Sequence, residues 1–103
     1  MTGEEVRVMS GEQKVMYVGR RPPMNYVLGI MSSLAASDAK EVTLKARGQA
    51  ISTAVDAAEI ARHRFMNNLS VSNISIGTEE MPPREGEHRS RSVSTIEITL
   101  TQQ

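Results

Sequence analysis

The chain has 103 residues, no cysteine and a formal net charge of zero at pH 7. This length suits one compact domain, and a hydrophobic fraction of 39% excludes disorder over most of it. The lack of cysteine excludes a disulfide framework and a thiolate metal site. No apolar run approaches the roughly 20 residues that span a membrane, and the acidic start does not resemble a secretory signal. We therefore expect a cytoplasmic protein with a flexible polar tail (residues 1–13) and a single domain (residues 14–103).

The neutral net charge conceals an uneven distribution along the chain. Residues 14–64 hold eight basic and four acidic side chains, whereas residues 65–103 hold three basic and five acidic ones. Residues 1–13 hold one basic and three acidic side chains. A basic centre thus lies between two acidic flanks, so any anion-binding surface must depend on local geometry rather than on the field of the whole protein.

The first predicted elements are a strand and a helix. A short apolar run at residues 15–18 is closed by Gly19, which indicates a buried strand. Proline is favoured at the first helical position, so we expect the next helix to begin at Pro22 or Pro23. Its apolar side chains recur every three or four residues up to Ala35, as on a helix face that packs against another layer.

The pattern of a strand followed by a helix is then repeated. Apolar residues alternate with polar ones at residues 41–46, which predicts a strand buried on one face only. Arg47 and Gly48 break this alternation, and apolar residues recur at helical spacing from Ile51 to Phe65. The repetition indicates two consecutive strand–helix units.

Two further strands follow, joined by a long polar segment. Residues 69–76 carry a third strand, whose phase shifts at Ser72-Asn73 and thereby predicts a β-bulge. Residues 95–100 alternate as the last strand. Between them, residues 78–91 hold two prolines, four glutamates and three arginines. Because hairpin connections are usually short, we expect this segment to project as an arm that reaches roughly 24 Å if extended.

The element order is therefore β-α-β-α-β-β. Strand–helix–strand units place their strands in parallel through right-handed crossovers, and the polar face of the second strand indicates that both helices cover the same side. The predicted fold class is α/β: a two-layer sandwich with both helices on one face of a four-stranded mixed sheet, and a long projecting β-hairpin arm (about residues 78–91).

Patterns that indicate catalysis do not occur in the sequence. His63 and His88 lie at positions typical of solvated surface residues, and there is neither a nucleophile elbow nor a phosphate-binding glycine loop. We therefore expect no enzyme, no cofactor, no metal site and no small-molecule substrate.

Basic residues instead precede both predicted helices. Gly19-Arg20-Arg21 precedes the first helix, and Lys45-Ala46-Arg47-Gly48 precedes the second. Beside parallel strands, both junctions open at the same edge of the sheet, where such folds bind ligands. Helix N-termini favour phosphate, so we interpret the two loops as a phosphate cradle. Since aromatic residues make up only 3% of the chain, contacts to a duplex backbone are favoured over base stacking.

Three groups of residues resemble the Alba family of archaeal chromatin proteins. They are Val18 to Leu28; Lys45 to Ile51 with the following Ala54-Val55-Asp56 and Arg64-Phe65; and Val93 to Ile98. The resemblance covers roughly residues 14–101 in order and implies the same sandwich. It also implies a homodimer that coats and compacts double-stranded DNA with little sequence preference, that also binds RNA, and that is associated with the chromosome.

The resemblance further implies roles for individual residues. The two basic loops and the arm would contact nucleic acid through Arg20, Arg21, Asn25, Tyr26, Lys45, Arg47, Gly48, Gln49, Arg84, Arg89 and Arg91. The dimer, and the contacts between neighbouring dimers on DNA, would involve Ile51, Val55 and Phe65.

Three departures from the family pattern predict weaker and more salt-sensitive DNA binding. Arg20 and Arg21 stand where the family usually has lysines, and they cannot be acetylated. Gln49 replaces a residue that is commonly basic. The chain is also neutral, whereas members of the family are typically basic.

Two other functions stay open. The same surface could serve structured RNA, in RNA metabolism or in ribonuclease P assembly, as it does in relatives of this fold. A function of another class is a protein–protein adaptor whose polar arm docks a basic partner.

Overall fold

A computed structural model describes residues 7–8, 14–35 and 40–103. Along the chain these form β1 (Arg7–Val8), β2 (Lys14–Tyr17), α1 (Pro23–Ala35), β3 (Glu41–Arg47), α2 (Ala50–Ile60), a π-helical turn (Ala61–Phe65), β4 (Leu69–Met81) and β5 (Arg91–Gln102). The predicted β-α-β-α-β-β order is present, with β1 added before it. β1 falls within the predicted tail, and the rest of that tail lies outside the described residues.

The strands form one mixed sheet in the order β1-β2-β3-β5-β4. β2 and β3 are parallel, as their connection through α1 requires, and the other neighbours are antiparallel. The predicted four-stranded mixed sheet is confirmed, and β1 extends it by a two-residue strand at one edge. β5 lies between β3 and β4, so the strand that comes last along the chain is an inner one.

Both helices pack on one face of this sheet, as predicted. The strand residues that point towards them, including Met16, Leu44 and Leu100, are fully buried. α1 adds its own buried apolar side chains, whereas α2 contacts the sheet largely through small alanines. Burial of each large apolar side chain stabilises the fold by about 1.5–3 kcal/mol. None of the helices in the described ranges is long and apolar enough to cross a membrane.

The hairpin of β4 and β5 differs from its prediction in the extent of its strands. Pairing continues to Met81 opposite Arg91, so the unpaired connection is only residues 82–90. Backbone hydrogen bonds between the two strands suffice to form an exposed ribbon, and its polar side chains do not prevent this pairing. The register shift between Val71 and Asn73 confirms the predicted bulge.

Candidate nucleic-acid interface

The first basic loop (residues 18–22) connects β2 to α1. Val18 donates its backbone N–H to the carbonyl oxygen of Lys45 at 2.8 Å, which extends the pairing of β2 with β3 by one residue. The chain leaves the sheet at that point. Arg20 is exposed and Arg21 is half-buried, so both follow the last paired residue of β2 at the carboxyl end of the strand.

Tyr26 holds this loop from inside the protein. Tyr26 belongs to α1, and its side chain is fully buried. Its hydroxyl oxygen accepts hydrogen bonds from the backbone N–H groups of Gly19 at 2.9 Å and Arg21 at 3.2 Å. Asn25 is exposed on the same helical turn, and its N–H donates to the carbonyl of Pro22 at 3.0 Å. Tyr26 therefore shapes the loop rather than presenting a surface to a ligand, whereas Asn25 is accessible to one.

The second basic loop (residues 47–49) connects β3 to α2. Gly48 adopts a φ of 58°, a left-handed conformation that favours glycine. Its N–H donates to the carbonyl of Ser94 at 2.9 Å, and its own carbonyl accepts the N–H of Ile51 at 3.1 Å. No side chain caps α2 at Gln49, and its first turn carries no acidic residue. The positive end of this helix dipole is therefore not offset by an acidic side chain in the first turn.

These two loops lie at one edge of the sheet. β2 and β3 run in parallel, with Tyr17 opposite Lys45, so their carboxyl ends and both helix starts face the same way. Arg47 ends β3 opposite Thr95 of β5, and the hairpin continues beyond that level. The structure therefore gathers Arg20, Arg47, two helix N-termini and the base of the arm at one edge.

Two of the predicted cations are paired with carboxylates of the hairpin. The Nη1 atom of Arg47 lies 2.6 Å from Oε1 of Glu79, and the Nζ atom of Lys45 lies 3.7 Å from Oε2 of Glu97. All four side chains are between 38% and 55% exposed. Neither pair is predictable from local sequence patterns, because each joins residues that are far apart along the chain.

The three arginines of the arm occupy different positions. Arg84 and Arg89 lie in the exposed connection, where the N–H of Glu87 donates to the carbonyl of Arg84 at 2.9 Å. Gly86 completes this turn with a φ of 86°, as at the third position of a type II turn. Arg91 instead begins β5 and is half-buried. Only the first two are thus carried on the exposed connection, away from the body of the protein.

A second surface, on the helix-bearing side of the hairpin, is apolar. Ile76 is 81% and Ile74 57% exposed, although they lie opposite Ile96 and Ile98 of β5. A groove of about 460 Å³ beside Ile76 is lined by Ile51 of α2 as well. We name Ile51, Val55, Ile74 and Ile76 the apolar patch, because Val55 on α2 is also exposed. Its two helix residues were predicted as interface residues from the sequence, whereas its two strand residues were predicted only as members of the third strand.

Comparisons with known proteins agree with the resemblance found in the sequence. The family model described as Alba matches residues 14–78. The DNA/RNA-binding protein Alba of Methanocella arvoryzae is 49% identical over 89 residues, which cover 86% of this chain and 90% of that protein. The protein of the same name from Methanothrix thermoacetophila is 47% identical over 89 residues, covering 86% of this chain and 96% of its own length. The solved structure of Alba from Thermoplasma volcanium matches with a TM-score of 0.76 and 42% identity, covering 85% of this chain and 99% of that one. The chain therefore belongs to the Alba family.

Proposed function

We propose that this protein binds nucleic acid without sequence preference, and that it coats and compacts double-stranded DNA as a homodimer while also binding RNA. The observation that carries the proposal is the placement of two basic loops and two helix N-termini at one edge of the sheet. The names of the relatives from Methanocella arvoryzae and Methanothrix thermoacetophila, both DNA/RNA-binding protein Alba, support it. A chromosome-associated, cytoplasmic location follows from this function.

The chemistry of this edge suits phosphates rather than bases. Arginine presents a planar fork of N–H donors that matches phosphate oxygens, and Arg20, Arg21 and Arg47 supply three such forks. Backbone N–H groups at a helix start add a further attraction for negative charge. Contacts of this kind fix a protein on the duplex but carry no sequence information. Arg84 and Arg89, on the arm, would extend the same contacts along the DNA.

The apolar patch supports the homodimer. A side chain as exposed as Ile76, at 81%, beside a groove lined by Ile51, is suited to burial against a second copy of the chain. A two-fold interface brings the same patch together from both subunits. Such a dimer would present two basic edges to one duplex, which doubles the number of phosphate contacts.

Structured RNA is the second candidate ligand for this surface, in RNA metabolism or in ribonuclease P assembly. The pairs of Arg47 with Glu79 and of Lys45 with Glu97 favour this alternative, because they offset part of the positive charge on which non-specific DNA coating depends, whereas structured RNA is also recognised by its shape. A protein–protein adaptor, the third candidate, would dock a basic partner on the glutamates of the arm.

The proposal is tested with the double variant Arg20→Ala and Arg21→Ala. Fluorescence anisotropy measures binding to a random-sequence DNA duplex and to a structured RNA across a series of salt concentrations. We expect weaker binding of both ligands, with the slope of log affinity against log salt reduced by about one for each phosphate that the variant no longer neutralises. The matched control is Arg62→Ala with Arg64→Ala, which removes the same charge in the π-helical turn that follows α2. Affinity unchanged in the first variant would refute the phosphate cradle.

The wild-type titrations also separate the three candidate functions. Duplex binding at least as tight as RNA binding, with a steep salt slope and no sequence preference, supports DNA coating. Clearly tighter binding of RNA near physiological salt makes RNA handling the main function. Binding that ignores salt favours the adaptor, since phosphate contacts necessarily release counterions.

A further inference from the structure

Glu79 faces the proposed phosphate-binding edge from the hairpin. We propose that its carboxylate competes with nucleic-acid phosphate for Arg47, so that Glu79 sets an upper limit on the affinity of the protein for its ligand. This inference rests on the proposed function, because it requires Arg47 to contact phosphate. It adds an acidic residue to an interface for which the sequence predicted basic and polar residues.

The geometry of the sheet explains how residues on two non-adjacent strands meet. Arg47 ends β3 opposite Thr95 of β5, and Thr95 in turn lies opposite Gly77 of β4. The side chain of Arg47 must therefore cross β5, a lateral distance of roughly 10 Å between the backbones of β3 and β4. Gly77 has no side chain to obstruct it, and a Cβ atom there would lie 3.2 Å from Oγ1 of Thr95. The guanidinium then meets Glu79, the next residue of β4 on the same face.

The ion pair is close enough to compete and exposed enough to be displaced. At 2.6 Å between Nη1 and Oε1, one N–H group of Arg47 already has a charged acceptor. The two side chains are 55% and 49% exposed, and water-exposed ion pairs are weak. A phosphate can therefore replace the carboxylate, but the displaced Glu79 stays beside it as a like charge. The looser pair of Lys45 with Glu97 opposes binding in the same way and less strongly.

Glu80 provides a matched control on the same strand. It directly follows Glu79, so it points to the opposite face of β4, and its Oε2 atom accepts the hydroxyl of Ser90 at 3.3 Å. Glu79→Gln and Glu80→Gln each remove one negative charge from the same part of the hairpin. A difference between the two variants therefore reports the ion pair with Arg47 and not the net charge.

The experiment titrates the full chain and both variants against a random-sequence DNA duplex by fluorescence anisotropy. We expect Glu79→Gln to bind about two- to fivefold more tightly than Glu80→Gln at low salt, the range that exposed ion pairs allow. This difference should shrink as added salt screens the charges. Equal affinities of the two variants at low salt would overturn the proposal.

A double-mutant cycle with Arg47→Gln completes the test. In that background the advantage of Glu79→Gln over Glu80→Gln should disappear, because the shared cation is gone. An advantage that persists would show that Glu79 acts independently of Arg47, and would overturn the proposal. If Arg47→Gln alone leaves the affinity unchanged, Arg47 does not contact phosphate and the inference fails with it. The effect of Arg20→Ala with Arg21→Ala then decides separately whether the first basic loop binds nucleic acid.

Discussion

The hydroxyl oxygen of Tyr26 lies 2.9 Å from the backbone nitrogen of Gly19. The ring that carries this oxygen is fully buried between α1 and the sheet, whereas the loop that it holds is at the surface. The same oxygen accepts a second hydrogen bond, from the backbone N–H of Arg21 at 3.2 Å. The core of the domain thus fixes the path of the first basic loop through a single polar atom.

Replacement of this hydroxyl should loosen the loop without changing any charge. We expect Tyr26→Phe to lower the free energy of unfolding by about 1 kcal/mol, because two backbone donors lose their acceptor but can reach water. Amide hydrogen exchange at Gly19 and Arg21 should accelerate, while exchange at Gly48 should not. Affinity for duplex DNA should fall a few-fold in the same variant. Unchanged exchange at Gly19 would show that the hydroxyl does not hold the loop.

The apolar patch predicts a dimer that one charge can disrupt. Ile76→Lys places an ammonium group in the centre of the proposed interface, and the 81% exposure of Ile76 means that the isolated chain tolerates it. We expect a monomer by sedimentation velocity that keeps the circular-dichroism spectrum of the folded chain, with a melting temperature lowered only by the loss of the stabilisation that dimerisation supplies. Ser75→Lys is the control, since it puts the same charge on the opposite face of β4 and should leave the dimer intact. If Ile76→Lys remained dimeric, the patch would not be the interface.

Phe65 tests whether dimers contact one another on DNA. Its side chain is 48% exposed where the π-helical turn ends, so we expect Phe65→Ala to cost the fold less than about 2 kcal/mol. The dimer should persist in this variant, while binding along a long duplex should lose its cooperativity. Electrophoretic mobility shifts at increasing protein concentration measure this cooperativity, as the steepness with which the bound fraction of DNA rises. Dimers that still bind cooperatively would remove Phe65 from the interface between neighbours.

The end of α2 carries an ion pair with a predictable pH dependence. A hydrogen bond from Arg62, assisted by the nearby His63, lowers the pKa of Glu59 below its ordinary value of 4.5. A depressed pKa in the folded state stabilises the protein above pH 4.5, and this contribution is lost as the pH falls below that value.

The measurement that follows is a comparison of melting temperatures. We expect Glu59→Gln to melt about 1–4 °C below the wild type at neutral pH, as for an exposed helical ion pair. The difference should narrow as the pH falls below 4.5 and vanish in stronger acid. A difference that is independent of pH would attribute the effect to packing rather than to charge.

The sequence predicts the core of this fold because each element there is buried on one side. Alternation at Val42, Leu44 and Ala46 suffices for β3, since all three side chains must reach the same apolar layer. The phase shift at Ser72-Asn73 locates the bulge for the same reason. By contrast, no hydrophobic alternation marks where the strands of the arm end, because these strands are paired through backbone hydrogen bonds in solvent.

Local sequence patterns predict where the cations of the candidate site lie, but they do not predict the contacts that these cations make. The position of Arg47 before a helix follows from local patterns, but its pairing with Glu79 depends on the order of three strands and on a glycine in the third. The role of Tyr26 in the loop is similar, because the bond to Gly19 requires the buried ring to point back towards the strand end. The residues that contact one another across the sheet cannot be predicted from any single segment of the sequence.

The inner position of β5 has a consequence for how the chain folds during synthesis. β3 and β4 are not hydrogen-bonded neighbours in the sheet, and both pair with β5, which leaves the ribosome after them. Until Ile98 and Leu100 emerge, the parallel unit of β2, α1 and β3 therefore lacks the antiparallel strand that seals its apolar layer. Such pairing between distant segments slows folding. A nascent chain arrested before β5 should accordingly remain protease-sensitive, and the domain should become resistant in one step once residues 91–102 are available.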